Sequence, residues 1–357
     1  MHLKGNKGEW SEIYVLFKLI ETGELPLNPK RVQSTSELVF KIIELIRKEN
    51  DGELVFRINQ NIVAITENGQ EICNFPVQTF AEYANRLFHT ITANRERTFA
   101  IPDVEAFMRS FNCTTITERR SNKSDIMIMI HDQVTQHSPV LGFSIKSQLG
   151  SPSTLLNASG STNIVFKLDE NVKGNDPLSI TRHGSIKDYI DLLLEDGNNF
   201  QYSDMQNSIF RNNLILIDSA LDIIVASLVF NFYSSTKSKF IDLLDDLEEE
   251  NPLNFDKTTG HKFYTYTIKK FLVEIALGLM PNTTWTGEYE ANGGYIIVKP
   301  DGELECYHIY YRNDFEDYLI NNTKLETAST SRHDFGTVYQ DGPEYFLKLN
   351  LQIRFTK

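Results

Sequence analysis

Cysteine is scarce: three residues in 357, Cys73, Cys113 and Cys306, at spacings that match neither a disulfide framework nor a zinc ribbon. Such a set fits a reducing interior, a cytosol being the simplest home. Long apolar runs are lacking too. Every hydrophobic stretch is interrupted before the roughly 18 residues that a membrane span requires, and the opening MHLKGNKGEW has no apolar signal core. Export and membrane insertion are not expected. Basic charge is short, with 35 Lys and Arg against 48 Asp and Glu and a net charge of -13, which excludes a protein that coats a polyanion through bulk positive charge. A nucleic-acid partner must therefore meet a local basic surface. The absence of a Gly-rich loop after a first strand, and of an Asp/Asn-Pro-Pro-Tyr/Phe string, speaks against a methyltransferase. What is present is globular: 41% hydrophobic residues in a chain of this length suffice for a substantial core in one large domain or two to three smaller ones.

The spacing of Trp10, Ile13, Tyr14, Phe17, Leu19 and Ile20 predicts a helix over 9–21, with Gly23 where it stops. The same pattern predicts a second helix over 37–48 before an Asn50-Asp51-Gly52 turn. Strands follow over 53–58 and 61–66, and helices over 80–89 and 103–111, the latter started by Pro102 and Asp103. Residues 126–130 and 140–146 read as a strand, a polar turn and a strand. The stretch 151–161 is rich in Ser, Thr, Asn and Gly and leads into a strand over 163–168. Helices are expected over 186–195, over 207–232 with a break near Leu214, and over 239–250, whose Asp242, Asp245, Asp246, Glu248, Glu249 and Glu250 concentrate acidity on one solvated face. Strands at 295–299 and 303–311 join through Pro300-Asp301-Gly302, and a helix over 314–321 and strands over 337–340 and 345–355 complete the chain. With no repeat and no long linker, the regions are intimately joined: an N-terminal α/β region 1–110, a core 111–240 and a β-rich region 241–357. The class is α+β.

Period-two geometry points Ser144 and Lys146 to one face of their strand and Phe143 and Ile145 to the other. Antiparallel pairing with the strand that begins after Asp125 would bring the Asp125 carboxylate to the Lys146 ammonium. Phosphodiester hydrolysis needs such a combination, an oxygen-ligated Mg²⁺ to neutralise charge on the phosphate and a group beside the attacking water. Asp125 followed by Ser144-Ile145-Lys146 resembles the signature of the PD-(D/E)XK nucleases, an acid on one strand and acid-x-Lys on the next, here with serine for the second acid. The resemblance implies a second carboxylate from the first helix, where superfamily members carry a glutamate four residues after a glycine. Gly8 to Glu12 and Gly5 to Glu9 both have that spacing, and Glu9 and Glu12 share a helix face. Metal ligands on this reading are Asp125 and Glu12, with Glu9 the alternative and Gln148, on the face of Lys146, a further oxygen donor. Ser144 leaves open a non-catalytic DNA-binding protein on a degenerate nuclease fold, and the acidic 239–250 segment a protein-interaction scaffold.

Longer strings resemble the HpaII-type restriction endonucleases: KGNKGEWSEIYVL at 4–16, GFSIKSQLGSPSTLLNASGSTN at 142–163, GGYIIVKPDGELECYHIY at 293–310, RHDFG at 332–336 and LNLQIRF at 349–355. The resemblance implies a restriction-endonuclease-like central mixed β-sheet flanked by helices, with DNA recognition in the C-terminal β-rich region. It implies Mg²⁺-dependent cleavage of double-stranded DNA at CCGG, and a host methyltransferase as a genetic rather than physical partner. A palindrome invites a homodimer. A G·C-only site is read in the major groove by donors to guanine and acceptors for cytosine, for which Arg182 with His183, Arg312, and Arg332 with His333 and Asp334 are the candidates. Ser151, Ser153, Thr154, Asn157, Ser159, Ser161 and Asn163 supply small donors for phosphates and base edges. Arg119, Arg120 and Lys123 flank the metal site as backbone contacts.

Overall fold

Helix α1 (Lys7–Thr22) is set at both ends by its own sequence. Asn6 and Glu9 form a reciprocal capping box, and Gly23 adopts a left-handed conformation, φ 65°, that ends it. Every residue from Trp10 to Phe17 is buried, so α1 is a core helix rather than a surface one. The structure, a computed structural model, describes residues 2–27, 38–50, 52–117, 123–132, 135–169 and 175–356; Arg119 and Arg120 lie outside them. Along the chain follow β1 (Glu24–Leu27), β2 (Leu38–Lys48), β3 (Glu53–Asn59), β4 (Ile62–Glu67), β5 (Gln70–Pro76), α2 (Val77–Ala93), α3 (Pro102–Arg109), β6 (Ile126–His131) and β7 (Val140–Ser147). Next come β8 (Thr154–Leu156), β9 (Asn163–Leu168), α4 (Ile186–Glu195), β10 (Phe200–Met205), α5 (Ser208–Ile217), α6 (Leu221–Ser234), α7 (Phe240–Glu250) and α8 (Phe263–Leu277). The chain ends with β11 (Gly294–Val298), β12 (Leu304–His308), α9 (Arg312–Asn322), β13 (Thr323–Leu325), α10 (Thr330–His333), β14 (Val338–Asp341), β15 (Glu344–Asn350) and β16 (Ile353–Phe355).

These elements form two compact units, each assembled from separate stretches: residues up to Ser153 with Tyr289–Phe315, and Thr154–Glu288 with Glu316–Thr356. The division cuts across the contiguous regions 1–110, 111–240 and 241–357. In the first unit a nine-stranded mixed sheet runs β1-β12-β11-β7-β6-β2-β3-β4-β5, and β1 also pairs with β2, which closes six strands into a ring of pairings. Strand β11 lies parallel to β7 and antiparallel to β12. Its GYIIV sequence is buried at every position, as a central strand covered on both faces requires. Helices α1, α2 and α3 close over the sheet through edge-on aromatic contacts; Phe17 meets Phe80 at 5.4 Å and Phe107 at 5.6 Å, and Phe56 meets Phe111 at 5.7 Å.

Residues 38–48 form a strand, not the expected helix. The strand pairs along its length with β1, β3 and β6, and its register with β6 shifts between Ile42 and Glu44. The shift turns Ile43 outward, so the buried Phe40, Ile42, Leu45 and Ile46 fall at intervals that imitate helical spacing. The second unit holds a four-stranded antiparallel sheet, β10-β9-β15-β14, a three-stranded sheet, β13-β16-β8, and helices α4 to α8. The strand expected over 345–355 is two strands in different sheets, and the helix break expected near Leu214 falls between Ile217 and Leu221. Among the described residues no single helix is long and apolar enough to cross a membrane.

Candidate active site

Asp125 sits immediately before β6, and its N–H donates to Phe143 O at 2.8 Å, which sets the antiparallel register Ile126 opposite Phe143. Ser144 and Lys146 then project from the same face of β7, away from the core residues Phe143 and Ile145. Asp125 Oδ2 accepts from Ser144 Oγ at 3.0 Å and from the Ile145 N–H at 2.8 Å. Lys146 Nζ donates to Ser144 Oγ at 2.7 Å and to Ile145 O at 3.3 Å, and stands 4.0 Å from Asp125 Oδ2. The serine hydroxyl is thus the joint of the pair, donating a hydrogen bond to the acid and accepting one from the amine. Ser144 is 3% exposed, whereas the Asp125 and Lys146 side chains keep 14% and 19%, enough to meet a ligand without bulk solvation.

Strand β11 completes the surroundings from the other side of β7, with Tyr295 in register with Ser144 and Ile297 with Lys146. The Tyr295 ring lies beneath the Lys146 ammonium, 5.1 Å from Nζ to centroid. The chain before β11 approaches β7 so closely that two glycines are obligatory. A Cβ on Gly142 would meet Glu290 O at 2.5 Å, and one on Gly293 would meet the Phe143 ring at 2.5 Å. Gly293 N donates to Gly142 O and Gly142 N to Asn292 Oδ1, locking the approach. Glu290 accepts from the Lys123 N–H at 2.5 Å. Burial, reinforced by the charge of Lys146 and opposed by Glu290 and Asp125, pushes the Lys123 amine down to about 8. Tyr295 and Glu290 are neighbours that sequence reasoning missed. They stand far from Asp125 along the chain, and only the parallel β7–β11 pairing brings them in.

The first helix reaches the same strand. Ser11 Oγ and Ser147 Oγ are 2.8 Å apart, joining the residue before Glu12 to the residue after Lys146. Glu12 is buried, whereas the carboxylate of Glu9 accepts the Asn6 N–H at 2.7 Å in the capping box. Gln148 follows β7 in an exposed position, its N–H bonded to Val298 O. Among the described residues no three His, Cys, Asp or Glu side chains gather closely enough to hold a metal by themselves. The donors nonetheless suit Mg²⁺, a hard cation that is usually held by one or two carboxylates with waters and substrate phosphate making up its six oxygens. Both of these hydrogen bonds to Asp125 fall on Oδ2.

The expected DNA contacts divide between the units. Ser151, exposed, and Ser153, Arg312 and the catalytic candidates belong to the first; the others belong to the second. Thr154 lies in β8, and Asn157 is exposed beyond it. Ser159 caps a 3-10 turn, and Ser161 Oγ accepts from Asn207 Nδ2 at 3.0 Å. Asn163, expected in a groove, has no exposed surface. Its Nδ2 donates to Gln206 Oε1 and to His333 O, and its Oδ1 accepts from Asn350 Nδ2, so it braces the 330–336 segment from within. Arg182 braces the same segment, donating to Gly336 O at 3.0 Å, while Asp334 pairs with Lys348 at 3.0 Å. His183 is exposed, and so is Arg332, which makes no ion pair among the described residues.

A mixed sheet that delivers a carboxylate and an ammonium to the ends of neighbouring strands has the layout of a hydrolytic nuclease. Comparison with known proteins identifies which kind. Residues 6–355 match the HpaII restriction endonuclease family. The chain is 42% identical over 355 residues to the type II restriction enzyme HpaII of Haemophilus parainfluenzae, an alignment covering 98% of each chain. No solved structure matches. The chain belongs to the HpaII restriction endonuclease family: it is a type II site-specific deoxyribonuclease, a hydrolase whose partner is DNA.

Proposed function

We propose that this endonuclease cleaves double-stranded DNA at CCGG with Mg²⁺, leaving 5′-phosphate ends, and that Asp125, Glu12 and Lys146 carry the chemistry. The observation that supports the reading best is the 4.0 Å approach of Lys146 Nζ to Asp125 Oδ2 in a chain of this family. Asp125 and Glu12 would hold the cation, which when bound offsets charge on the phosphate and makes a nearby water more acidic. Two donors to Oδ2 keep the Asp125 carboxylate fixed before substrate arrives, so little reorganisation is left for the reaction itself. Lys146, an ammonium donor, orients the attacking water and steadies a phosphate oxygen. The water oxygen bonds to phosphorus, giving up a proton to solvent, as the bond to the 3′-oxygen breaks, and the departing oxygen takes a proton from solvent.

Recognition of guanine O6 and N7 falls on Arg332, exposed on a segment braced by Asn163, Arg182 and Lys348. A twofold palindrome would be met by two copies of the chain, in a bacterial cytoplasm where a methyltransferase protects the same sequence. Incubating plasmid with wild type, Asp125→Ala and Lys146→Ala in Mg²⁺ or EDTA tests the reading. The wild type should give discrete CCGG fragments in Mg²⁺ alone, and both variants should lose cleavage while still binding a CCGG duplex. Full cutting by either variant removes that residue from the mechanism, and cutting that persists in EDTA removes the metal.

A further inference from the structure

A lysine on a four-carbon stem samples many rotamers, so an ammonium that must meet a phosphate at one spot needs something besides its own strand to hold it. Lys146 bonds to Ser144 Oγ and Ile145 O, both from β7 itself. Asp125 stands 4.0 Å away across the strand pair, and the ring of Tyr295, on the parallel strand β11, approaches from the other side of β7: its centroid lies 5.1 Å from Nζ, and its backbone is in register with Ser144. The ring cannot swing away. Tyr295 is 2% exposed and packs on Phe315 at 5.2 Å, and the chain leading to it is locked by the Gly293–Gly142 bond. The face of an aromatic ring carries negative potential, so it attracts the ammonium without taking its proton or neutralising it as a second carboxylate would.

We propose that Tyr295 is a positioning residue for Lys146, its ring face holding the ammonium beside Ser144 and Asp125. The proposal rests on Lys146 serving cleavage, so its test separates the two. A core aromatic with no such role would be replaced at a cost in stability alone. Tyr295→Leu keeps apolar volume but removes the ring; it should lower kcat about tenfold and leave KM for a CCGG duplex nearly unchanged, and Tyr295→Phe, which restores the ring, should recover most of that rate. Independently of activity, protein labelled with ¹³C-lysine should show the Lys146 ε-methylene displaced upfield by the ring, the resonance being assigned by its loss in Lys146→Arg. That displacement should persist in Tyr295→Phe and vanish in Tyr295→Leu. A Lys146 resonance indifferent to Tyr295→Leu overturns the contact. A resonance that moves while kcat stays at the wild-type value overturns the positioning role, and so does a Tyr295→Phe variant as slow as Tyr295→Leu. Undiminished cleavage by Lys146→Ala overturns instead the reading beneath it.

Discussion

Replacing Ser144 with alanine is the most direct probe of the site, because the hydroxyl serves both charged partners at once. The substitution deletes its 3.0 Å bond to Asp125 Oδ2 and its 2.7 Å bond from Lys146 Nζ. Neither charge is orphaned: the carboxylate keeps the Ile145 N–H at 2.8 Å and the ammonium keeps Ile145 O at 3.3 Å. The loss is therefore nearer one charge-assisted hydrogen bond than two, about 2 kcal/mol. If that free energy holds the pair in its reactive arrangement, the single-turnover cleavage rate at saturating enzyme falls about thirtyfold. Duplex affinity should change by less than about threefold. Single-turnover assays on a labelled CCGG duplex give the rate, and urea unfolding of the same preparation separates a local effect from loss of folded protein. Ser144→Thr, which retains the hydroxyl, should keep most of the activity. An alanine variant that cuts within about twofold of wild type would refute the claim that the serine joins acid to amine.

Three more outcomes are expected. Burial pushes the His308 imidazole down to about 4 from 6.5, against the pull of Asp132; the unfolded chain binds a proton below its own pKa and the native one does not. Stability should therefore fall as pH drops from about 6.5 to 4 and level off below, by up to about 3 kcal/mol, and urea titrations of wild type and His308→Phe should differ over that interval. Arg332→Ala should weaken CCGG binding by about 1 to 3 kcal/mol and random duplex far less; equal losses in a fluorescence-anisotropy titration would make the arginine a backbone contact. Gly142→Ala would drive a methyl to 2.5 Å from Glu290 O, a backbone atom with little room to retreat. Its melting curve should report a destabilisation of about 1 to 3 kcal/mol, and an unchanged curve would mean that the approach is looser than the geometry states.

Much of this was legible in the sequence where local rules govern. Helix α1 is written in the apolar spacing from Trp10 to Ile20 and in Gly23, the β11–β12 hairpin in Pro300-Asp301-Gly302, and the meeting of Asp125 with Lys146 in the period of two adjacent strands. What stayed hidden depends on partners remote in the chain. The 38–48 segment looked helical because a register shift in a strand and a helix leave similar apolar spacing. Helix α8 passed unnoticed because its aromatic and β-branched residues, Phe263, Tyr264, Thr265, Tyr266, Thr267 and Ile268, suit a strand by propensity, and tertiary burial decides otherwise. Asn163 resembled a groove residue by type, but nothing near it announces Asn350 or His333. Tyr295 lay inside a string read for its turn, with no local sign that a parallel strand would set it beneath Lys146.

The pairing of β7 with β11 carries a consequence for how the enzyme comes into being. Some 150 residues of chain separate the two strands, a stretch that takes about 7 to 30 s to synthesise at about 5–20 residues per second. Until the later strand emerges from the ribosome, the lysine has no ring beneath it and the sheet has an open edge where its centre will be. A nascent chain that stops short of β11 thus leaves β7 without its parallel neighbour, its side of the sheet open to whatever strand it meets first.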